Sequence, residues 1–351
     1  MMLLAITLAC VGTSVSDTEE TDPQTTDTQA TDTAPPEWDC AQPVWTADAI
    51  TLTQQAEVDA FCTQYSAVGG DLTIDVGVKG DTIVELDGLG CLCAVDGDLE
   101  IMAETLPEGQ PPPHVTGDLE LRLLERIEGD LHLRNLANLT YLQELWSLEH
   151  IGGDLIIENC PDLQYSTLFA LQTLGGQLYL RDLTKLLVFR MPSLREAGGL
   201  VLGSPADSET LFFFSDLGID ALETIRGDVQ ITGARNLGRL SAPVLQQIGG
   251  QLHIEAACGL TPALPSLTTL GGLHIEGNCG MANFDGLSAL TEISGTDASE
   301  YGVWLSANDG LDKKEITTFL SGLSSINGKT HFDVSAGCDT LMASYADGYC
   351  N

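Results

Sequence analysis

The stretch IGGDLII, residues Ile151 to Ile157, decides the fold because it recurs down the chain. It returns as VGGDLTI from Val68, VDGDLEI from Val95, VTGDLEL from Val115 and IEGDLHL from Ile127. LGGQLYL from Leu174, IRGDVQI from Ile225 and IGGQLHI from Ile248 continue the series. Shortened forms are AGGLVL from Ala197 and LGGLHI from Leu270, and weaker echoes begin at Ile293 and Ile326. Through the middle of the chain the second glycine steps by 24, 23, 23, 28, 23, 22 and 23 residues. A fixed period of this length marks a solenoid, whose coils cannot bury their apolar sides alone and stack to share one core.

Within one coil, Leu155 and Ile157 stand two apart and point inward, while Ile156 points outward. The glycines interrupt each coil and admit a turn where a side chain would crowd the next coil. Spaced leucines such as Leu139, Leu142, Leu145 and Leu148 line the other walls. Spacings of three also suit the helices of a leucine-rich repeat, but the Gly-Gly breaks and the strand alternation favour β. The expected class is all-β: a right-handed parallel β-helix with leucine-rich coils of about 23 residues and an N-terminal capping helix. That helix is expected over Thr51–Tyr65, capped by Thr51 with Gln54 three residues later. A second is expected over Lys314–Leu323, and an irregular cap over Gly337–Cys350.

Upstream, three segments are expected. Residues 1–10 carry an apolar run ending at Ala9 and Cys10, as in a lipoprotein-type signal whose cysteine is lipidated. Residues 11–39 hold eight Thr, eight acidic residues and no Lys or Arg, the composition of a disordered, self-repelling linker. Residues 40–351 form the solenoid with its caps. Export to a bacterial cell envelope follows, with outer-membrane anchoring through the lipid and no other membrane contact.

With the repeat, the coil length and the Cys-containing N-terminal cap in view, residues Cys40 to Cys350 resemble the receptor L-domain family. These are the β-helical modules of the epidermal growth factor and insulin receptors, with bacterial relatives. Ile151–Ile157 and Ile248–Ile254 carry the likeness best. The resemblance implies a module that binds protein ligands and has no catalytic role. A furin-like cysteine-rich segment, a kinase and a transmembrane helix are lacking from this sequence.

Composition narrows the partners. The chain of 351 residues has 14 Lys plus Arg against 51 Asp plus Glu, a net charge of −37. Nucleic acid is excluded as a partner, since its phosphates need cations. A glycosidase needs two placed carboxylates, but 51 acids make such a pair uninformative. Lyases acting on uronates want cations that are scarce here, and no G-x-S-x-G, H-E-x-x-H or phosphate-loop motif occurs. The expected function is a non-enzymatic, surface-displayed recognition or adhesion module binding an extracellular protein or neutral glycan. The alternatives are a structural envelope lipoprotein without a specific ligand and, behind it, a β-helical carbohydrate-active enzyme. No cofactor is expected.

Candidate sites lie on the outward strand row Glu100, Glu120, His132, Ile156, Tyr179, Val201, Gln230, His253, His274. Its apolar run Ile156, Tyr179 and Val201, with Phe212, Phe213 and Phe214 in the longest middle coil, forms a candidate binding patch. His253, Glu255, His274 and Glu276 alternate on one face of adjacent coils and form a candidate site for zinc or another divalent ion. The Asp row (Asp71, Asp98, Asp118, Asp130, Asp154, Asp228) is expected to accept backbone N–H groups rather than calcium. Expected disulfides are Cys40–Cys62, Cys258–Cys279 and Cys338–Cys350, and Cys160 is expected to be a buried free thiol. Cys91 and Cys93 stay open between a mutual bridge and a partner in the cap.

Overall fold

In a computed structural model the chain forms a β-solenoid of about 10 turns of about 24 residues. The structure describes residues 40–77, 83, 85–103, 119–203, 211, 213–234, 236–257, 260–278, 280–295, 300–308 and 310–333. Cys10, the linker at 11–39 and the C-terminal cap at 337–350 lie outside them.

Every strand pair is parallel, and like positions of successive coils stand opposite one another. Leu72, Leu99, Leu131, Leu155, Leu178, Leu200, Val229, Leu252, Leu273 and Val303 form one continuous inward row, all fully buried. Ile74 through Leu305 forms a second inward row two residues along. A third, from Val68 to Ile293, lies before the glycines. Each such side chain contributes about 1.5–3 kcal/mol by leaving water. The remaining walls are leucine rows with two short ladders, Tyr165–Thr167 with Val188–Arg190 and Asp216–Gly218, and Arg239–Ser241 with Thr261–Ala263.

The corner between the third row and the first explains the repeat. Asp98, Asp130, Asp154, Gln177 and Gln251 donate their backbone N–H to the carboxylate of the preceding coil's Asp71, Asp98, Asp130, Asp154 and Asp228, at 2.6–3.0 Å. A Cβ on Gly97, Gly129, Gly153, Gly176 or Gly250 would overlap the same carboxylate oxygen. The glycine is there to make room for the aspartate beneath it. Five members of the Asp row therefore cap backbone amides of the next coil, as their place at the strand start implied, and Asp118 lies outside the described residues.

Residues 115–118 of the motif at Val115 lie outside the described residues, and its remainder, 119–121, belongs to no strand. Leu99–Met102 pairs directly with Leu131–Arg134, and Glu120 sits at φ +52° outside any strand. Leaving the motif out restores one step of 32 residues, from Gly97 to Gly129. At the other end the echoes at Ile293 and Ile326 are true rungs, joined by Tyr301–Ser306 and Lys329–Asp333.

The first helix begins later than expected. Thr51 lies in strand Ile50–Leu52, which pairs with the following coil. Helix α1 spans Gln55–Phe61, and the capping carboxylate is Glu57, accepting from the backbone N–H of Thr53 (2.8 Å) and Gln54 (3.1 Å). It forms one wall of the first coil, with Val58 and Phe61 in the core. Helix α2, Lys313–Gly322, matches its expected place and is capped by Asp312, which accepts from Glu315 N–H at 2.7 Å. Among the described residues no helix is long and apolar enough to cross a membrane.

The cysteines correct one pairing and settle an open one. Cys40 bonds Cys93 and Cys62 bonds Cys91, so the expected Cys40–Cys62 bridge does not form. The backbone N–H of Cys93 donates to Ser66 O at 2.8 Å, which sets the C-x-C segment over the end of the first coil, within reach of both. Cys258, Cys279, Cys338 and Cys350 lie outside the described residues. Cys160 is free and buried, in line with Leu136 and Leu183, and burial pushes its thiol up to about 12.

Asp130→Ala is expected to lower stability by about 1–2 kcal/mol through the lost amide bond. Gly153→Ala is expected to cost about 2–4 kcal/mol, since the new methyl both displaces that carboxylate and crowds the Gly129 backbone. Denaturant unfolding of the double variant should be less than additive, because both changes break one contact. Strict additivity would refute the shared contact.

Candidate functional site

The outward row of the main sheet runs Thr73, Glu100, His132, Ile156, Tyr179, Val201, Gln230, His253, His274, Trp304, His331, each opposite the next. Parallel register at about 4.8 Å per strand stacks these side chains on one another. Ile156, Tyr179 and Val201 are therefore half-buried rather than fully presented. Burial and the Asp154 carboxylate raise the Tyr179 phenol above its usual value. Phe214 belongs to the core, fully buried, which removes it from the binding patch. Phe213 points outward and is 50% exposed, and Phe212 lies outside the described residues.

The His–Glu cluster is a ladder, not a chelate. Residues at like positions of adjacent coils point the same way, so the His253 and His274 rings stack, centroids 4.2 Å apart, instead of converging. Each imidazole Nε2 faces the carboxylate two residues on, Glu255 at 3.5 Å and Glu276 at 3.1 Å. Among the described residues no three His, Cys, Asp or Glu side chains gather as metal donors. The candidate divalent-ion site is thus corrected to a polar stack. The stack extends beyond what the sequence suggested, because Trp304 packs on His331 at 4.1 Å, with Tyr301 edge-on to the indole. An insertion between Gly295 and strand Tyr301–Ser306 broke the repeat spacing and hid this rung.

Four exposed aromatic side chains lie instead off the main sheet, on two adjacent coils. Tyr141 (38% exposed) and Tyr165 (44%) face each other as bridge partners on adjacent coils. Trp146 (53%) and Phe169 (55%) follow them on the same two coils, at matching places. The register is fixed by Gln172 N–H donating to Glu149 O at 2.9 Å. Between them, Leu142 and Leu145 on the first coil and Leu168 on the second turn inward. The indole Nε1 donates to Arg122 O on the preceding coil at 3.0 Å, which ties the ring along the wall. Arg122 beside it pairs with Glu120 and Glu144. Sequence reading followed the strand row and passed over this quartet. The available signal was the aromatic residues recurring 24 and 23 positions apart between inward leucines.

Compared with protein-family models, with characterised proteins and with solved structures, the chain matches none.

Two outcomes are expected. Burial, opposed by the Glu276 hydrogen bond and added to by His253, holds the His274 imidazole below its usual value. The folded state then binds fewer protons there than the unfolded one, so stability is full above the ordinary histidine value and falls as pH drops through it toward the lowered value. His274→Gln should flatten the fall in thermal midpoint between about pH 7 and pH 5, and an unchanged slope would refute the assignment. Cys160 should resist maleimide in the native chain and react once unfolded, read by peptide mapping. Native labelling at the unfolded rate would overturn its burial.

Proposed function

We propose that the solenoid is a non-enzymatic recognition or adhesion module, exported and displayed at a bacterial cell surface, where it binds an extracellular protein or a neutral glycan. The observation that carries this reading is the exposed quartet Tyr141, Trp146, Tyr165 and Phe169 on two adjacent coils. Aromatic residues are only 6% of this chain, and four exposed ones on two adjacent coils differ from the singly scattered apolar residues of an ordinary surface. Exposed indole and phenyl rings anchored on a rigid backbone are what binding hot spots are made of.

Other features support the setting. Two disulfides in the first coils fit an oxidising compartment. The lipoprotein-type start and the acidic linker fit a tether that holds the module off a surface. The resemblance to receptor L-domains fits a binding scaffold. The half-buried row Ile156, Tyr179 and Val201 favours a second reading, in which the sheet face covers itself and the envelope role is structural.

The full chain, used as bait on surface extract and culture medium of the source organism, tests the choice. A specific partner captured by the parent, lost by a folded Trp146→Ser/Phe169→Ser variant and kept by Tyr179→Ser supports recognition through the quartet. Loss with Tyr179→Ser instead moves the site to the sheet row. No specific capture by folded parent favours the structural reading.

A further inference from the structure

We propose that the Trp146–Phe169 wall binds a neutral, chain-like glycan laid along the solenoid axis, with one sugar ring per coil. This rests on the recognition reading and names its ligand class.

The first argument is repetition. Tyr141 with Trp146, and Tyr165 with Phe169, place an aromatic pair at the same two positions of successive coils. Coils advance by about 4.8 Å, the spacing of strands in a sheet. That is close to the advance of one pyranose residue in an extended β-linked chain. A polymer of like units therefore meets like contacts at each step, whereas the irregular surface of a protein gains nothing from the repeat.

The second argument is the chemistry of the wall. A pyranose ring carries an apolar C–H face and a rim of hydroxyls. The face suits an exposed aromatic ring, and the hydroxyls both donate and accept. Trp146 is fixed in place by its bond to Arg122 O, and the backbone at Phe169 by Ser193 Oγ donating to its carbonyl at 2.7 Å. An indole fixed in this way loses little freedom when a ligand docks. Beside the indole, Arg122 with Glu120 and Glu144 offers donors and acceptors in an ion-paired group. Such a group answers hydroxyls without calling for a ligand charge.

The third argument is exclusion. A net charge of −37 repels uronate, sulfate and phosphate polymers. The aromatic strip spans two coils, about 10 Å along the axis at that spacing. It is narrow for a stable protein interface, which takes about 800 Å² from each partner.

The full chain would be titrated with tetrasaccharides of β-linked glucose, mannose, xylose and N-acetylglucosamine, and with oligogalacturonate as the anionic control. Calorimetry and tryptophan fluorescence would read binding. The expected result is saturable binding of at least one neutral tetrasaccharide and none of oligogalacturonate. Trp146→Ala and Phe169→Ala should each weaken binding at least tenfold with the thermal midpoint retained. Val244→Ser, exposed elsewhere on the solenoid, should leave binding unchanged. No neutral sugar binding at millimolar concentration, or equal binding by both alanine variants, overturns the proposal. Periodate and protease treatment of the surface extract separates the two levels. Capture abolished by protease and untouched by periodate overturns the glycan class while recognition stands. Absence of any capture by folded bait removes both.

Discussion

One contact sets the geometry on which the other rows depend: a carboxylate of one coil occupies the space where the next coil's glycine has no Cβ. Asp130 beneath Gly153 is typical, with its oxygen bonded to the N–H of Asp154. The backbone at this corner bends between two walls, so its amide points along the stack and lies outside the regular strand ladder. The aspartate meets that amide and, being itself a residue whose N–H is met from below, passes the pattern on. Neighbouring glycines stack as well, Gly153 N–H on Gly129 O at 2.9 Å and Gly176 N–H on Gly153 O at 2.7 Å. Coil spacing is thus fixed at the corner, and the leucine rows fall into register as a consequence.

The same register governs what the outer surface can do. Like positions on successive coils point the same way, so outward side chains stack instead of converging. His253 on His274 and Trp304 on His331 are results of that rule. A chelate needs donors that converge on a point, and a strictly repeating wall does not supply them. What such a wall supplies is a ladder, suited to a ligand that is itself extended. Cations follow the rule too: Arg134–Glu100, Arg181–Glu158, Arg195–Glu223 and Arg226–Glu196 each join neighbouring coils. Exposed pairs of this kind give at most about 1 kcal/mol each. Their use here is to place scarce positive charge between stacked acids.

The fold was legible because its cause is local and repeated. Gly-Gly-Asp followed by alternating apolar residues fixes a corner and a strand in seven residues, and the period follows. What escaped the sequence is what depends on spacing between repeats. The Val115 motif has the right letters, yet strand Leu99–Met102 pairs directly with Leu131–Arg134. The Tyr301–Ser306 rung is real although its glycine is displaced. The cysteine pairing was missed because it turns on which ends of the first coil meet. Asn135 and Asn159, at φ +60° and +51° after successive strands, mark a second corner that the glycines overshadowed. There Asn159 Nδ2 donates to Asn135 Oδ1 at 2.7 Å, and asparagine tolerates the left-handed conformation.

The candidate site was less legible for a related reason. Strand alternation predicts which side chains leave the core, and it named the sheet row as outward, wrongly including only Glu120, which lies in no strand. It does not predict how far a side chain projects once neighbours stack on it at about 4.8 Å. On the flat sheet face each outward residue is shaded by the rungs above and below, so Tyr179 is half-buried. Trp146 instead follows a tight turn, Gln143–Leu145, and is 53% exposed. In a solenoid the inward rows report the fold, while how far an outward side chain projects depends on its neighbours in the closed coil.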